Sequence, residues 1–252
     1  MAIAKYANFE KYKKLIQSIP SSYSEEALIN DRFLLEKDSK KKLEIYYAPF
    51  EYVNEVAKVV IVGITPGLHQ MKKAFSTVID AAGTEFNDEE ILCQVKNNSS
   101  FEGTMRKNLV RMLDELGLNE YLGLSSSIEL FEEANHLVHT SSVLSYPVFY
   151  NGKNYSGSTP NLLKSEVLKK YVTDHFATEL YNLDSPLIIP LGVNVSNALT
   201  YLADQGIVER NCILSGFPHP SGGNGHRHKQ FAENKEAMQE KLKEHFLQQS
   251  RI

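Results

Sequence analysis

The run Val59-Val60-Ile61-Val62, every residue β-branched and the run stopping at Gly63, constrains the fold more than any other stretch of this chain. A run with no polar side suits a strand buried on both faces, and such strands belong to parallel sheets covered by helices. Its surroundings repeat the theme. His136 to Leu144, Leu187 to Leu191 and Cys212 to Leu214 read as further strands. Between and after them, helical stripes recur: Met105, Leu109, Met112, Leu113 and Leu116, closed by Gly117; then Val193 to Ala203; then His228 to Gln249, with Phe231, Met238, Leu242 and Phe246 on one side. Strand and helix in alternation predict an α/β fold of three α/β/α layers around a short central parallel sheet.

Ahead of this body, residues 5–17 carry Tyr6, Phe9, Tyr12, Leu15 and Ile16 at helical spacing, and the charged stretch EKDSKKKLE from Glu36 to Glu44 reads as a solvated loop or turn. Residues 1–45 are therefore expected as an N-terminal helical extension of a domain spanning 46–252, with no Pro/Gly/Ser linker dividing the chain and no internal repeat. The first residues lack the apolar core of a signal peptide, and VVIVGI is far too short to span a bilayer, so a soluble cytoplasmic monomer is expected, without membrane contact.

Ligands of open parallel sheets sit beyond the carboxyl ends of the strands. After the first strand comes Gly63-Ile64-Thr65-Pro66-Gly67, a tight turn that leaves backbone accessible. It lacks the lysine of a phosphate loop and the third glycine of a dinucleotide fingerprint. After the fourth strand comes GFPHPSGGNGHRHK, which gathers His219, His226, His228, Arg227 and Lys229 beside several glycines. The formal net charge is −4, from 27 basic against 31 acidic residues, so any nucleic-acid partner needs cations concentrated in this way. Ser221 and the bare backbone of Gly222 and Gly223 offer donors to a phosphate at the start of the next helix. An ordinary glycine-rich loop, or a zinc site built from the histidines, would also account for this composition. The chain has 2 cysteines, Cys93 and Cys212, outside any CxxC or CxxH spacing, which excludes a cysteine-ligated zinc or iron–sulfur centre and suits a reducing compartment.

Taken as a pair, GITPG at Gly63 to Gly67 and HPS at His219 to Ser221, each ending a strand, resemble the signatures of the uracil-DNA glycosylase superfamily, in motif style closest to its mismatch-specific and single-strand-selective branches. FEGTMRKNLVRMLDELGL from Phe101 to Leu118 looks like that family's helix after the first motif, and PLIIPLGVNVSNAL from Pro186 to Leu199 like its third strand and following turn. The resemblance spans residues 45–246. It implies a uracil-DNA-glycosylase-like fold and a hydrolase that breaks the N-glycosidic bond of uracil or another damaged base in DNA, as in base excision repair, without metal or cofactor. It also implies that His219 stabilises the departing base, that Thr65 orients the water, and that Gly63, Ile64, Pro66, Gly67, Phe75, Thr140 and Ser141 surround the base. Ser221, Gly222 and Arg227 would hold a phosphate of single- or double-stranded DNA with modest affinity.

Two departures stand out. Thr65 occupies the place of an Asp or Asn, and a threonine hydroxyl is a negligible base. Thr140 and Ser141 stand where the family offers an amide to read the base edge, and hydroxyls lack its bidentate geometry. Asn151 or Asn154 in YNGKNYSG could substitute, yet both suit a hairpin turn; Phe149 and Tyr150 are alternative stacking partners to Phe75, and His69 could aid or replace Thr65. Readings from other classes are a protein that binds nucleic acid or nucleotides on this fold without turnover, and a small-molecule N-glycosidase or nucleotide hydrolase that needs no DNA groove; a free base or nucleotide is then the partner. An α/β-hydrolase is excluded, because no GxSxG elbow occurs.

Overall fold

A computed structural model describes residues 6–249 of the chain. Residues 1–5 and 250–252 of the two expected segments lie outside the described residues. The elements run α1 (Ala7–Gln17), β1 (Leu34–Asp38), β2 (Leu43–Tyr46), β3 (Val59–Gly63), α2 (Leu68–Asp80), α3 (Asp88–Ser99), α4 (Thr104–Leu116), α5 (Leu118–Tyr121), β4 (Val138–Ser142), β5 (Val148–Tyr150), β6 (Lys153–Asn154), α6 (Glu166–Tyr171), α7 (Ala177–Tyr181), β7 (Leu187–Pro190), α8 (Val193–Asp204) and α9 (Arg227–Gln249), with short 3-10 turns between some of them.

The β-branched run becomes β3, whose residues are all buried. It is the middle strand of a parallel sheet of order β4-β3-β7. Side chains alternate across a strand. Val60 and Val62 therefore enter one apolar cluster, with residues of α1, α2, α3, α6, α7 and α8, while Val59 and Ile61 enter another with α4, α5 and α9. Helices thus cover both faces, as a strand without a polar side demands. The fold is mixed α/β around a small parallel sheet.

The fourth expected strand shrinks to one parallel bridge, Ile213 to Ile188. A 3-10 turn over Arg210–Cys212 leads into it, and Gly216, at φ 93°, turns the chain away soon after. The expectation of a helical extension over 1–45 holds only for α1. Residues 36–44 are not a solvated loop: they lie mostly in the β1–β2 hairpin, part of an antiparallel sheet of order β1-β2-β5-β6. Of the charges that suggested a loop, Lys37 and Glu44 stand directly opposite on the hairpin's outer side and pair at 2.7 Å, while Leu43 and Ile45, opposite Asp38 and Glu36, are buried. Asn151 and Gly152, both at positive φ, make the tight β5–β6 turn. Among the described residues no helix is long and apolar enough to cross a membrane.

Candidate functional site

The loops beyond β3 and β7 are built to stay close together. Past Gly63 the chain runs through Thr65, whose Oγ1 donates to Tyr146 O at 2.9 Å and accepts from Val148 N at 3.1 Å. That hydroxyl ties the GITPG turn to the β4–β5 connection. Gly67 donates from its N to Gln70 Oε1 at 2.8 Å, and Leu68 N donates to Asn154 Oδ1 at 3.0 Å, which together cap α2. On the other side, Gly192 follows β7 at φ 93°, and a Cβ there would stand 3.1 Å from His219 Cβ. Only glycine lets the two turns touch.

His219 is held by its own loop. Asn224 Nδ2 donates to His219 O at 3.1 Å, Asn108 Nδ2 of α4 donates to Pro220 O at 2.8 Å, and Arg227 Nη1 donates to Ser221 O at 2.8 Å. Ser221 N donates to His219 Nδ1 at 3.3 Å. Nδ1 is therefore the acceptor and the ring proton sits on Nε2. Burial pushes the pKa of His219 down, so at neutral pH the ring is an uncharged Nε2–H donor.

A cleft of about 580 Å³ opens at these strand ends. Into it face Ile64, Thr65 and Gly67 from the first loop, Gly192 and Asn194 from the turn after β7, and His219 and Ser221 from the last loop. His69 and Glu102 stand at its mouth, joined by a 3.0 Å contact between Nε2 and Oε2. That bond is the main reason the Glu102 carboxyl is held low. Phe101 also lines the cleft. Its φ of 52° is rare for a bulky residue, and Arg106 Nη2 fixes the turn by donating to Ser100 O at 2.6 Å.

Behind Phe101 and Gln70, which line both spaces, lies a smaller cavity of about 30 Å³. Pro66, Thr140 and Ser141 border it, as do Lys96 of α3 and Glu179 of α7. Lys96 Nζ donates to Thr140 O at 2.8 Å, and Ser100 Oγ and Thr140 Oγ1 share a 2.6 Å bond. Asn54 N donates to His139 Nδ1 at 3.4 Å, so His139 presents Nε2–H to Glu179 Oε1 at 2.6 Å. Burial lowers the pKa of Lys96 against the pull of Glu179 and Glu51, and lowers that of His139 against the same carboxylate. Burial alone would raise Glu179, but the His139 hydrogen bond and the Lys96 charge outweigh it. The cluster is a carboxylate, a neutral imidazole and an ammonium around a small buried pocket.

The residues singled out from the sequence thus divide. His219, Thr65, Ile64, Gly67 and Ser221 meet in the cleft, and Pro66, Thr140 and Ser141 adjoin it. Gly63 lies beneath, where a Cβ would be 3.4 Å from Phe101 Cε1. Phe75 is elsewhere: it is fully buried in the core, edge-on to Phe33 with centroids 4.8 Å apart. Arg227 and Gly222 sit outside the cleft, Arg227 bracing Ser221 and Gly222 exposed. Among the described residues no three His, Cys, Asp or Glu side chains converge as metal ligands.

Sequence reading missed Phe101, Asn194, Lys96 and Glu179. Lys96 carried a usable signal, because it continues the buried stripe Ile91, Leu92, Val95 and Ser99 of α3. A lysine on the apolar side of a helix is rarely buried without a polar reason.

No protein-family model matches the chain, and no solved structure matches it. It is 39% identical over 236 residues to a protein of Bacillus subtilis (strain 168) described as uncharacterized protein YoxB, covering 93% of this chain and 91% of that one. Identity at this level over nearly the whole of both chains makes this protein a member of the same family as YoxB.

Proposed function

We propose that this protein is a monofunctional DNA glycosylase on a three-layer α/β/α fold of the uracil-DNA-glycosylase type, acting in the cytoplasm as a monomer and without metal or cofactor. One observation carries the reading: His219 and Ser221 of the HPS loop and Ile64, Thr65 and Gly67 of the GITPG loop line a single cleft at the carboxyl ends of a parallel sheet. The sheet order, second-first-third strand with the fourth as a bridge beside the third, fits the same fold.

In this reading a flipped nucleotide enters the cleft, at a cost of a few kcal/mol for unstacking. Water attacks the sugar carbon, the C–N bond breaks, and its electron pair leaves with the base. The uncharged Nε2–H of His219 donates to the oxygen on which that charge collects, a contribution of about 3 kcal/mol. Thr65 is a scaffold, since its hydroxyl is committed to Tyr146 O and Val148 N. The water's proton goes to His69, oriented by Glu102. Ser221 Oγ and the exposed Gly222 backbone meet a DNA phosphate.

Single-turnover cleavage of oligonucleotides bearing uracil, hypoxanthine or a mismatched thymine tests this. At least one lesion should yield abasic sites, with His219→Ala slower by about 10²–10³-fold and His69→Ala by about 10²-fold. No abasic product above background for any lesion refutes the enzymatic reading. The commitment of Thr65 to backbone partners specifically favours a second reading, a nucleic-acid or nucleotide-binding protein without turnover, which predicts salt-sensitive binding and no abasic product.

A further inference from the structure

Lys96 is buried and the Glu179 side chain nearly so, with 11% exposed, and nothing in the hydrolytic step just described uses them. Charges of this kind are costly to bury and are kept where chemistry or recognition needs them. Here they flank the small cavity that adjoins the main cleft, with Phe101 and Gln70 lining both. Each borders that space with hydrogen-bonding capacity beyond its protein contacts. Lys96 Nζ has three donors and makes one hydrogen bond, to Thr140 O. Glu179 accepts from His139 through Oε1 and also meets the Ser141 hydroxyl, and a carboxylate has about four lone-pair sites.

The wall therefore pairs a fixed donor with a fixed acceptor. Their fixity comes from behind: Asn54 N sets the tautomer of His139, and His139 sets the carboxylate. At about 30 Å³ the cavity accommodates a water molecule and not a heterocycle. A base lying in the cleft against Phe101 would present only one edge to the pair, directly or through that water.

We infer that Lys96 and Glu179 read the lactam edge of a nucleobase, the ammonium donating to the ring carbonyl and the carboxylate accepting from the adjacent ring N–H. This rests on the reading of the cleft as a nucleobase site. Uracil and hypoxanthine carry such an edge. Cytosine and adenine reverse it, setting an amino group against the ammonium and a lone pair against the carboxylate. Discrimination therefore comes from repulsion as well as attraction. The pair takes the place of the amide reader that Thr140 and Ser141 lack; Thr140 instead holds Lys96 through its carbonyl.

The test is an NMR titration of the full-length protein with 1-methyluracil, in which N1 is blocked as it is in a nucleotide, with 1,3-dimethyluracil, which lacks the ring N–H, and with 1-methyl-2-pyrimidinone, which lacks both that N–H and the 4-carbonyl. 1-Methyluracil should bind at least about tenfold tighter than either analogue, because each leaves at least one of the two buried groups unpaired. In Lys96→Met/Glu179→Gln, a neutral pair in which the amide oxygen still serves His139, the preference should collapse to within about threefold. Equal binding of the three ligands by the wild-type protein, no binding of any of them, or a folded double variant that keeps the preference each overturns the inference. If the double variant does not fold, the wild-type series alone decides. Lactam preference without oligonucleotide cleavage leaves the inference standing and refutes the glycosylase; cleavage without lactam preference does the reverse.

Discussion

Glu51 sits between β2 and β3 with both carboxylate oxygens buried and without a hydrogen-bond partner of good geometry. The Tyr47 hydroxyl beside it is in the same position. Burial drives the Glu51 carboxyl up from 4.5 to about 7, opposed in part by Tyr47, its own backbone and the Lys96 charge; Tyr146 is the other titratable group that feels it. The folded protein then holds a proton between pH 4.5 and 7 that the unfolded chain has released. Stability from this group is full below pH 4.5, falls as pH rises to about 7, and is level beyond. Two and a half decades of proton affinity amount to about 3 kcal/mol. Glu51→Gln keeps the shape of the protonated side chain and removes the titration. Urea melts of both proteins from pH 4.5 to 8 should give a difference near zero at the acid end and about 3 kcal/mol in favour of the Glu51→Gln variant at the neutral end. The buried His139 tilts both curves the other way, being held uncharged by the fold, and cancels in the difference to the extent that it does not sense Glu51. A difference that does not change with pH, or a variant less stable than the parent at pH 7.5, refutes the account of a buried protonated carboxyl.

Three further outcomes follow from the site. Thr65→Val removes the bonds to Tyr146 O and Val148 N, leaves Val148 N–H unsatisfied, and should cost about 1–3 kcal/mol in a urea melt; unchanged stability would return the hydroxyl to a catalytic role. Gly192→Ala places a Cβ 3.1 Å from His219 Cβ at a φ of 93°, and should cost about 1–3 kcal/mol while shifting the NMR signals of the HPS loop; a silent substitution would mean that the two turns do not touch in solution. For DNA binding, Arg227 is already engaged by Ser221 O and Lys229 faces Glu233 at 3.9 Å, so few cations remain free at the loop. Log affinity against log salt should have a slope of only about −2 to −3, and a slope near −8 would require a cationic surface elsewhere.

What could be read from the sequence depended on whether one residue's neighbours in the chain are also its neighbours in space. The Val59 to Val62 run is such a case: absence of a polar side is a local property, and it correctly implied cover on both faces. The β1–β2 hairpin is the opposite case. Lys37 and Glu44 look like loop residues until they are set opposite each other, and the alternation that buries Leu43 and Ile45 is too short to register beneath the charges. Cys212 to Leu214 shows a third limit, because an apolar triplet can supply one bridge as well as a strand, and Gly216 decides which.

The site follows the same logic. Turn residues such as Gly67, Gly192 and those around His219 announce themselves, since a tight approach of backbone leaves few residue types to choose from. Thr65 could be located in that way, but its role could not, because its partners Tyr146 and Val148 lie on a connection whose position only the assembled sheets determine. Spacing along α2 points to Phe75 as the aromatic at the cleft, but the fold supplies another: Phe75 faces inward to Phe33, and Phe101 arrives from the turn before α4. Lys96, His139 and Glu179 come from three different elements, and none is unusual alone. Only their convergence turns an expensive lysine and an expensive glutamate into a matched donor and acceptor. Buried charge drawn from several elements is therefore what a linear reading hides, and loop composition at the strand ends is what it shows.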